Sequence, residues 1–386
     1  MNKLKLPDRT AVLFFASILI ASLACGSPTP TPASMPPTDS PQDATRVSAF
    51  ARGRTAYGFF PSPPDSSFES ILDHFEALHE HADFILFQPN VPWIDFVDGT
   101  EGESASREER RNVIALSRRF GLDWIFVIDP LNGLNRSEFY GLPEGWKPAF
   151  SNPDVRAAFT NFTLWVVREF QPSYLGLASE INTYLDAHPD DAANYLSLYR
   201  DVYDRVKAEA PDTQIFVTFQ WDDLNNMFEP ASEGRPAYQT NWDQVEAFEP
   251  RLDLWVISSY PFFIYPGDAG ILDGYYTPLL GRTEKPLAVA EGGWSTEPVG
   301  PLAVDEAGQV AYLQALHEQL GERLVFWTYL LLDDLNMDWI GPNALEGGMS
   351  ESDLETLNHF AHIGLRHADG EPKPALALWD AYRGDQ

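Results

Sequence analysis

The chain has 386 residues, 44% of them hydrophobic, which is enough for one large domain or two small ones with a substantial core. Its 26 Lys and Arg residues stand against 57 Asp and Glu residues, so the formal charge is −31 at pH 7. Nucleic acids and anionic membrane surfaces need a positively charged protein surface, and this composition argues against both partners and against a polyanionic substrate.

The first 24 residues have the pattern of a secretory signal. Lys3, Lys5 and Arg9 form a basic start, and an apolar run over 11–24 follows. That run is too short to span a bilayer comfortably, so we expect residues 1–24 to be removed. Cys25, the only cysteine, comes next, and "SLAC" resembles the lipobox of bacterial lipoproteins. The resemblance implies a lipid on Cys25; a cleaved signal with an incidental cysteine is the alternative.

Residues 25–45 are rich in Pro, Ser and Thr. Such a composition cannot pack a core and predicts a semi-extended tether. The folded part is expected to begin near Arg46 and to form one domain over 46–386. With a single cysteine in the chain, no internal disulfide can stabilise this domain, so its hydrophobic core must do so.

Eight short apolar runs recur along this domain. They lie at 55–60, 83–88, 123–129, 174–179, 214–219, 253–258, 286–290 and 323–328. Near-continuously apolar runs of this length are typical of parallel strands buried on both faces. The stretches between them predict helices at 67–81, 107–121, 152–170, 192–212, 305–321 and 373–384. This alternation predicts a (β/α)8 barrel; an open doubly wound sheet is the alternative, although no glycine-rich phosphate loop follows any strand.

Polar and aromatic residues follow several of the predicted strands, where the active site of such a barrel lies. Amide and carboxyl groups can hydrogen-bond sugar hydroxyls, and indole rings can stack on the apolar faces of sugar rings. Each tryptophan taken alone is more often a core residue, but several occur near the same barrel face. We therefore predict substrate contacts from Gln88, Asn90, Trp93, Asp129, Asn182, Gln220, Trp221, Trp294 and Trp327.

Two glutamates end the fourth and seventh predicted strands. Glu180 and Glu291 would face each other across the barrel mouth, where two carboxyl groups can act on one glycosidic bond. Retaining glycoside hydrolysis uses such a pair about 5–5.5 Å apart, one as acid/base and one as nucleophile. Two alternatives remain at this point: Glu180 as a helix-opening acid, and Glu291 as a turn carboxylate before Gly292.

The layout resembles the clan A glycoside hydrolases. "GLASEIN" at 176–182 is similar to their acid/base strand and "PLAVAEGGW" at 286–294 to their nucleophile strand. "DLWVISSYPFF" at 253–263 resembles the sixth strand of arabinogalactan endo-β-1,4-galactanases, glycoside hydrolase family 53.

The resemblance implies that Glu180 is the acid/base, that Glu291 is the nucleophile and that Tyr260 hydrogen-bonds the nucleophile. It also matches Trp327 to a tryptophan that many clan members carry on the eighth strand. One position departs from the pattern, because Ser179 stands where these enzymes have an asparagine that holds the sugar 2-hydroxyl. Asn182 is the candidate to replace that asparagine.

The sequence therefore predicts a secreted, lipid-anchored, retaining glycoside hydrolase on the extracellular face of a bacterial membrane. We expect a monomer without a cofactor, whose partner is a neutral or weakly charged oligo- or polysaccharide. The first alternative is a non-catalytic barrel that binds carbohydrate. The second is a metal-dependent barrel hydrolase built on Asp129 and on the acidic pairs Asp222–Asp223 and Asp333–Asp334.

Overall fold

The computed structural model describes residues 47–228, 239–265, 273–300 and 302–384. The predicted signal at 1–24, the tether at 25–45 and the lipidation site Cys25 lie outside the described residues. Within them, none of the helices combines the length and the apolar character that crossing a membrane requires.

The strands form one parallel sheet wound into a barrel, with a separate two-stranded hairpin. The strands are β1 Ala56–Phe59, β2 Phe84–Phe87, β3 Asp123–Val127, β4 Leu131–Asn132, β5 Asn135–Phe139, β6 Tyr174–Gly176, β7 Gln214–Phe216, β8 Thr218–Gln220, β9 Trp255–Ser259, β10 Leu287–Gly292 and β11 Leu324–Tyr329. The sheet order is β7-β6-β3-β2-β1-β11-β10-β9-β8. Because β7 and β8 are segments of one strand separated by Val217, eight strands surround the axis, and the predicted (β/α)8 barrel is confirmed.

Aromatic side chains fill the barrel interior. Phe326 of β11 lies 5.9 Å, between ring centroids, from Phe84 of β2 and equally far from Phe216 of β7. A Cβ on Gly58 of β1 would come within 2.6 Å of the Phe84 ring, so only glycine fits at that position. The close packing explains why the strands are apolar almost without interruption: one face meets this core and the other meets the helices.

Twelve α-helices accompany the strands in the described residues. They are α1 Phe68–His81, α2 Trp93–Phe96, α3 Ala105–Arg119, α4 Pro153–Phe170, α5 Ile181–Ala187, α6 Pro189–Glu209, α7 Trp221–Leu224, α8 Trp242–Glu246, α9 Glu306–Leu320, α10 Met337–Glu346, α11 Glu351–Asn358 and α12 Pro374–Gly384. Side chains close several of the N-termini, as where Ser67 accepts from the Ser70 N–H and Asp305 from the Gly308 N–H. All six predicted helices are present; the predicted 192–212 helix begins earlier, at Pro189.

The hairpin formed by β4 and β5 was not predicted. Its strands are antiparallel, with Leu131 opposite Phe139 and Asn132 opposite Asn135. The Phe139 ring packs against Phe150 and Tyr184 at centroid distances of 4.7 and 5.7 Å. These contacts fix the hairpin against α5, and therefore fix where its residue Arg136 lies.

Candidate active site

Glu180 lies between the end of β6 and the start of α5. Its backbone is left-handed, with φ 50° and ψ 42°, a conformation that costs a non-glycine residue about 1–3 kcal/mol. The surroundings hold it there: the Glu180 N–H donates to Thr218 Oγ1 at 2.7 Å, and Ser258 Oγ donates to the Glu180 carboxylate. The side chain makes no capping bond to α5, which leaves the helix-opening interpretation without support.

Glu291 lies within β10, next to a register irregularity between β10 and β9. Ser179 Oγ donates to its Oε1 at 2.6 Å, and the Tyr260 hydroxyl donates to its Oε2 at 3.3 Å. The carboxyl group is fully buried, so the interpretation as a solvated turn residue is not supported. Ser179, which replaces the asparagine of the resemblance, is thus engaged with the second glutamate.

Arg136 of the hairpin joins the two glutamates, and the sequence analysis missed it. Its Nη1 lies 2.5 Å from Asp129 Oδ2 and its Nε lies 3.0 Å from Glu180 Oε2. Its Nη2 lies 3.7 Å from Glu291 Oε1, an ion-pair distance beyond hydrogen-bond range. All four side chains are fully buried, and we call these four residues the charge cluster.

Burial is the largest cause of the raised pKa at both glutamates. Desolvation raises the pKa of Glu180 well above its ordinary value, and the Glu291 charge adds to this, while Arg136 and Ser258 oppose it. Desolvation also raises the pKa of Glu291, against the lowering effects of Arg136 and Ser179. The two groups titrate together, and because the charge of Glu291 raises the pKa of Glu180, an ionised Glu291 favours a proton on Glu180.

Among the predicted sugar ligands, Gln88 and Asn90 lie beside the charge cluster. Gln88 Nε2 donates to Asp129 Oδ2 at 3.1 Å, and Asn90 Nδ2 donates to the Leu131 carbonyl at 3.3 Å. In the described part of the chain, no donor reaches Gln88 Oε1 or Asn90 Oδ1 although both atoms are buried. These acceptors are the ones that a sugar hydroxyl could satisfy.

The other two predicted amide ligands bind the protein itself. Asn182 accepts from the Gln220 N–H at 2.8 Å and donates to Asp223 at 3.0 Å. The Gln220 side chain donates to Asp222 and accepts from the Asp223 N–H. Both residues are fully buried, so they hold the end of β8 against α5, and Asn182 does not take the place of the missing asparagine.

Three of the predicted tryptophans are buried near the strand ends. The Trp93 indole donates to the Tyr140 carbonyl at 2.8 Å, and the Trp221 indole donates to the Tyr275 carbonyl at 3.3 Å. Trp294 packs so tightly against α9 that a Cβ on Gly308 would lie 2.4 Å from its Nε1. All three are at most 3% exposed, so none presents a ring face to solvent.

The prediction for Trp327 is wrong. Its ring lies between Tyr57 and Trp379 of α12, at centroid distances of 5.9 and 5.4 Å. Side chains alternate along a strand, and Phe326 points into the barrel, so Trp327 points outward into the helix layer. It is a packing residue behind the barrel wall.

The acidic pairs contact protein donors. Asp222 accepts from the Tyr275 hydroxyl at 2.5 Å and from the Tyr260 N–H at 2.8 Å, which fixes the residue that contacts Glu291. Arg366 binds Asp333 and Lys373 binds Asp334. Within the ranges that the structure describes, no group of three or more His, Cys, Asp or Glu residues is arranged to hold a metal ion.

Several solved structures that share this fold are glycoside hydrolases. The chain matches a GH5_18 variant of Bifidobacterium longum subsp. longum in complex with Manβ1-4GlcNAc, at a TM-score of 0.61 and 14% identity over 86% of this chain and 78% of that one. It matches the exo-β-1,4-mannosidase of an Opitutaceae bacterium, strain TAV5, at a TM-score of 0.58 and 14% identity over 86% of this chain and 59% of that one. It matches the Bifidobacterium dentium β-glucuronidase complexed with coumarin-3-O-glucuronide at a TM-score of 0.51 and 14% identity over 86% of this chain and 46% of that one.

These similarities concern the fold. At 14% identity they show a shared (β/α)8 barrel, and the chain spans only about half the length of the β-glucuronidase. No protein-family model matches the sequence, and no curated protein matches it. The activity therefore has to be argued from the residues at the barrel mouth.

Proposed function

We propose that the protein is a retaining glycoside hydrolase with Glu180 as acid/base and Glu291 as nucleophile. The observation that carries the proposal is that one buried guanidinium, that of Arg136, contacts both carboxyl groups, which come from β10 and from the turn after β6. Two carboxyl groups at this end of a (β/α)8 barrel support the proposal, because retaining hydrolysis uses one as acid/base and the other as nucleophile.

The environments support these roles. Glu180, whose pKa is raised by burial and by the charge of Glu291, would protonate the leaving oxygen and later accept a proton from water. Glu291, beside the positive charge of Arg136 and two hydroxyl donors, would attack the anomeric carbon as a carboxylate. Tyr260 would hold Glu291 in place, since burial raises its own pKa well above the ordinary value and keeps it a neutral donor.

A neutral or weakly charged glycan fits the site best. The charge cluster has three carboxyl groups and one guanidinium, so it repels an anionic sugar. The structural neighbours suggest which glycans to assay first: β-1,4-mannosides and Manβ1-4GlcNAc, with β-glucuronides as the anionic comparison. The resemblance of the sixth strand adds β-1,4-galactans, cleaved within the chain.

The proposal is tested with a glycan panel, the parent protein and three variants. Glu180→Gln and Glu291→Gln should each lower kcat/KM by at least about 10³-fold, because each removes one of the two reacting groups. Glu297→Gln is the matched control, since this glutamate side chain is 57% exposed and lies only six positions after Glu291. Proton NMR of the first product should show the substrate's own anomeric configuration. An inverted product, or undiminished activity in either glutamine variant, contradicts the mechanism.

A non-catalytic carbohydrate-binding barrel is the second candidate, and one observation favours it. Glu180 and Glu291 are both fully buried and held by ion pairs and hydroxyl donors, as in a purely structural cluster. Calorimetric titration with the same glycans separates the candidates. Binding by the parent and by Glu291→Gln, with no hydrolysis of any glycan by the parent, would favour the binding protein.

We also propose that the protein is a monomer exported and anchored through a lipid on Cys25. The sequence supports the anchor: a basic start, an apolar run and "SLAC" precede a Pro-rich tether. Detergent-phase partitioning of the full chain should be lost in Cys25→Ser, whereas equal partitioning of both forms would refute the anchor. Light scattering of the domain should give the mass of one chain.

A further inference from the structure

The hairpin places a permanently charged group inside the barrel mouth, where the proposed reaction needs two carboxyl groups in different states. Arg136 belongs to β5 and is fully buried. A guanidinium does not lose its proton in a protein, so its charge persists at every pH at which the protein is folded. Three carboxyl groups surround this one charge: those of Asp129, Glu180 and Glu291.

We propose that Arg136 is a positioning residue that holds the two proposed catalytic carboxyl groups and sets the charge balance between them. This inference rests on the proposed function. The nearest contacts of Arg136 are those to Asp129 and Glu180, and they fix the plane of the guanidinium. In this orientation Nη2 points toward Glu291. A lysine could reach one carboxylate, but it lacks the planar fork that can serve three.

The hairpin is anchored well enough to serve this purpose. Phe139, three positions after Arg136, packs on Phe150 and Tyr184, and the Ser137 carbonyl lies 2.6 Å from His188 Nε2. On the other side, the Leu131 N–H donates to Asp129 Oδ1 at 3.1 Å. Both ends of the hairpin are therefore tied to elements that also position Asp129 or Glu180.

Charge counting shows what the guanidinium does. If all three carboxyl groups were ionised, the buried cluster would carry a net charge of −2, which a low-dielectric interior disfavours. A proton on one carboxyl group reduces that excess. The charge of Glu291 is one of the causes that raise the pKa of Glu180, so an ionised Glu291 favours a proton on Glu180, while Arg136 lowers the pKa of both groups.

The cluster has other polar neighbours on each surrounding element. Burial and the charge of Asp129 raise the pKa of Tyr195 well above its ordinary value, so this hydroxyl is neutral. The polar groups on these elements are Gln88 after β2, Ser179 after β6, Thr218 on β8, and Ser258 and Tyr260 at the end of β9. These groups are neutral, so replacing Arg136 removes the positive charge that faces both glutamates.

The experiment compares Arg136→Gln, Arg136→Lys and the control Arg107→Gln. Arg107 is also buried, but its guanidinium donates to the carbonyl oxygens of Thr100, Asp95 and Glu101. In Arg136→Gln, both limbs of the kcat/KM pH profile should move to higher pH, because loss of a positive charge favours the neutral carboxyl. We expect a shift of about one pH unit or more, hence about a ten-fold loss on the acidic limb.

The two other variants and a second readout complete the test. Arg136→Lys should shift the limbs less, and Arg107→Gln should leave them in place. A uniform loss of activity in Arg136→Gln without any movement of the limbs would overturn the proposal.

Carbon NMR of the glutamate carboxyl groups, assigned with Glu180→Gln and Glu291→Gln, measures the same titrations without substrate. Midpoints that rise in Arg136→Gln support the inference even if no glycan is hydrolysed, in which case only the proposed function fails. Unchanged midpoints overturn the inference whether or not the parent is active.

Discussion

Replacing Arg136 with methionine should make the stability of the protein depend strongly on pH. The substitution keeps much of the side-chain volume but leaves Asp129, Glu180 and Glu291 buried without their guanidinium. Removing one partner of a buried ion pair typically costs about 3–5 kcal/mol, and we expect this loss in the free energy of unfolding near pH 8. A domain with a typical stability of about 5–15 kcal/mol would remain folded.

The loss should become smaller as the pH falls. Burial already raises the pKa of Glu180 and Glu291 in the parent, and loss of Arg136 raises both further. A carboxyl group whose pKa is higher in the folded than in the unfolded state binds its proton on folding, so it destabilises the protein as pH rises above the unfolded value. Each such proton changes the free energy of unfolding by about 1.4 kcal/mol per pH unit within that window.

Urea denaturation at pH 5, 6, 7 and 8 measures this effect. Arg107→Met is the matched control, because Arg107 is also buried but its guanidinium hydrogen-bonds to carbonyl oxygens, which do not titrate. Its loss of stability should be nearly the same at each pH. If the two variants lost equal stability across the series, the carboxyl groups would not depend on Arg136 and our electrostatic account would be wrong.

Three further substitutions test single contacts of the site. Ser179→Ala removes the 2.6 Å hydrogen bond to Glu291, so calorimetry should show a loss of about 1.5–3 kcal/mol; an unchanged stability would mean that the bond is not formed. Tyr260→Phe should lower kcat about 10²-fold with little change in melting temperature, since it removes a donor from Glu291, and equal kcat values would refute that role. Trp327→Ala should lower the free energy of unfolding by about 3–5 kcal/mol while KM stays the same, because the Trp327 ring packs on Trp379. A raised KM in a stable variant would show that Trp327 contacts the substrate after all.

The barrel could be predicted because its strands are constrained on both faces. The run 286–290 is apolar throughout and the others are nearly so, and their short length and alternation with helical stretches favour buried strands. Because both faces of these strands are buried, the sequence did not indicate which way each side chain points. In β11 both Phe326 and Trp327 are buried, Phe326 inside the barrel and Trp327 under α12. The sequence therefore shows no alternation of apolar and polar residues from which the direction of each side chain could be predicted.

The site was predictable only where its residues end barrel strands. Glu180 and Glu291 follow apolar runs and stand out, whereas Arg136 lies in the polar segment "LNGLNRSEF", which reads as a loop. The Asn132–Gly133 dipeptide is typical of a hairpin and could have indicated one. Nothing local indicates that Arg136 turns inward, because its burial depends on three carboxyl groups brought there by other elements.

Trapping the covalent intermediate tests the central claim most directly. A 2-deoxy-2-fluoro glycoside with a good leaving group, built on whichever sugar the parent hydrolyses, slows release of the glycosyl-enzyme so that it accumulates. Mass spectrometry of the digested protein should find one fluoroglycosyl group on Glu291 in the parent and none on that peptide in Glu291→Gln. A label on a different carboxyl group, or hydrolysis of the parent sugar without any trapped adduct, would contradict the assignment of Glu291 as the nucleophile.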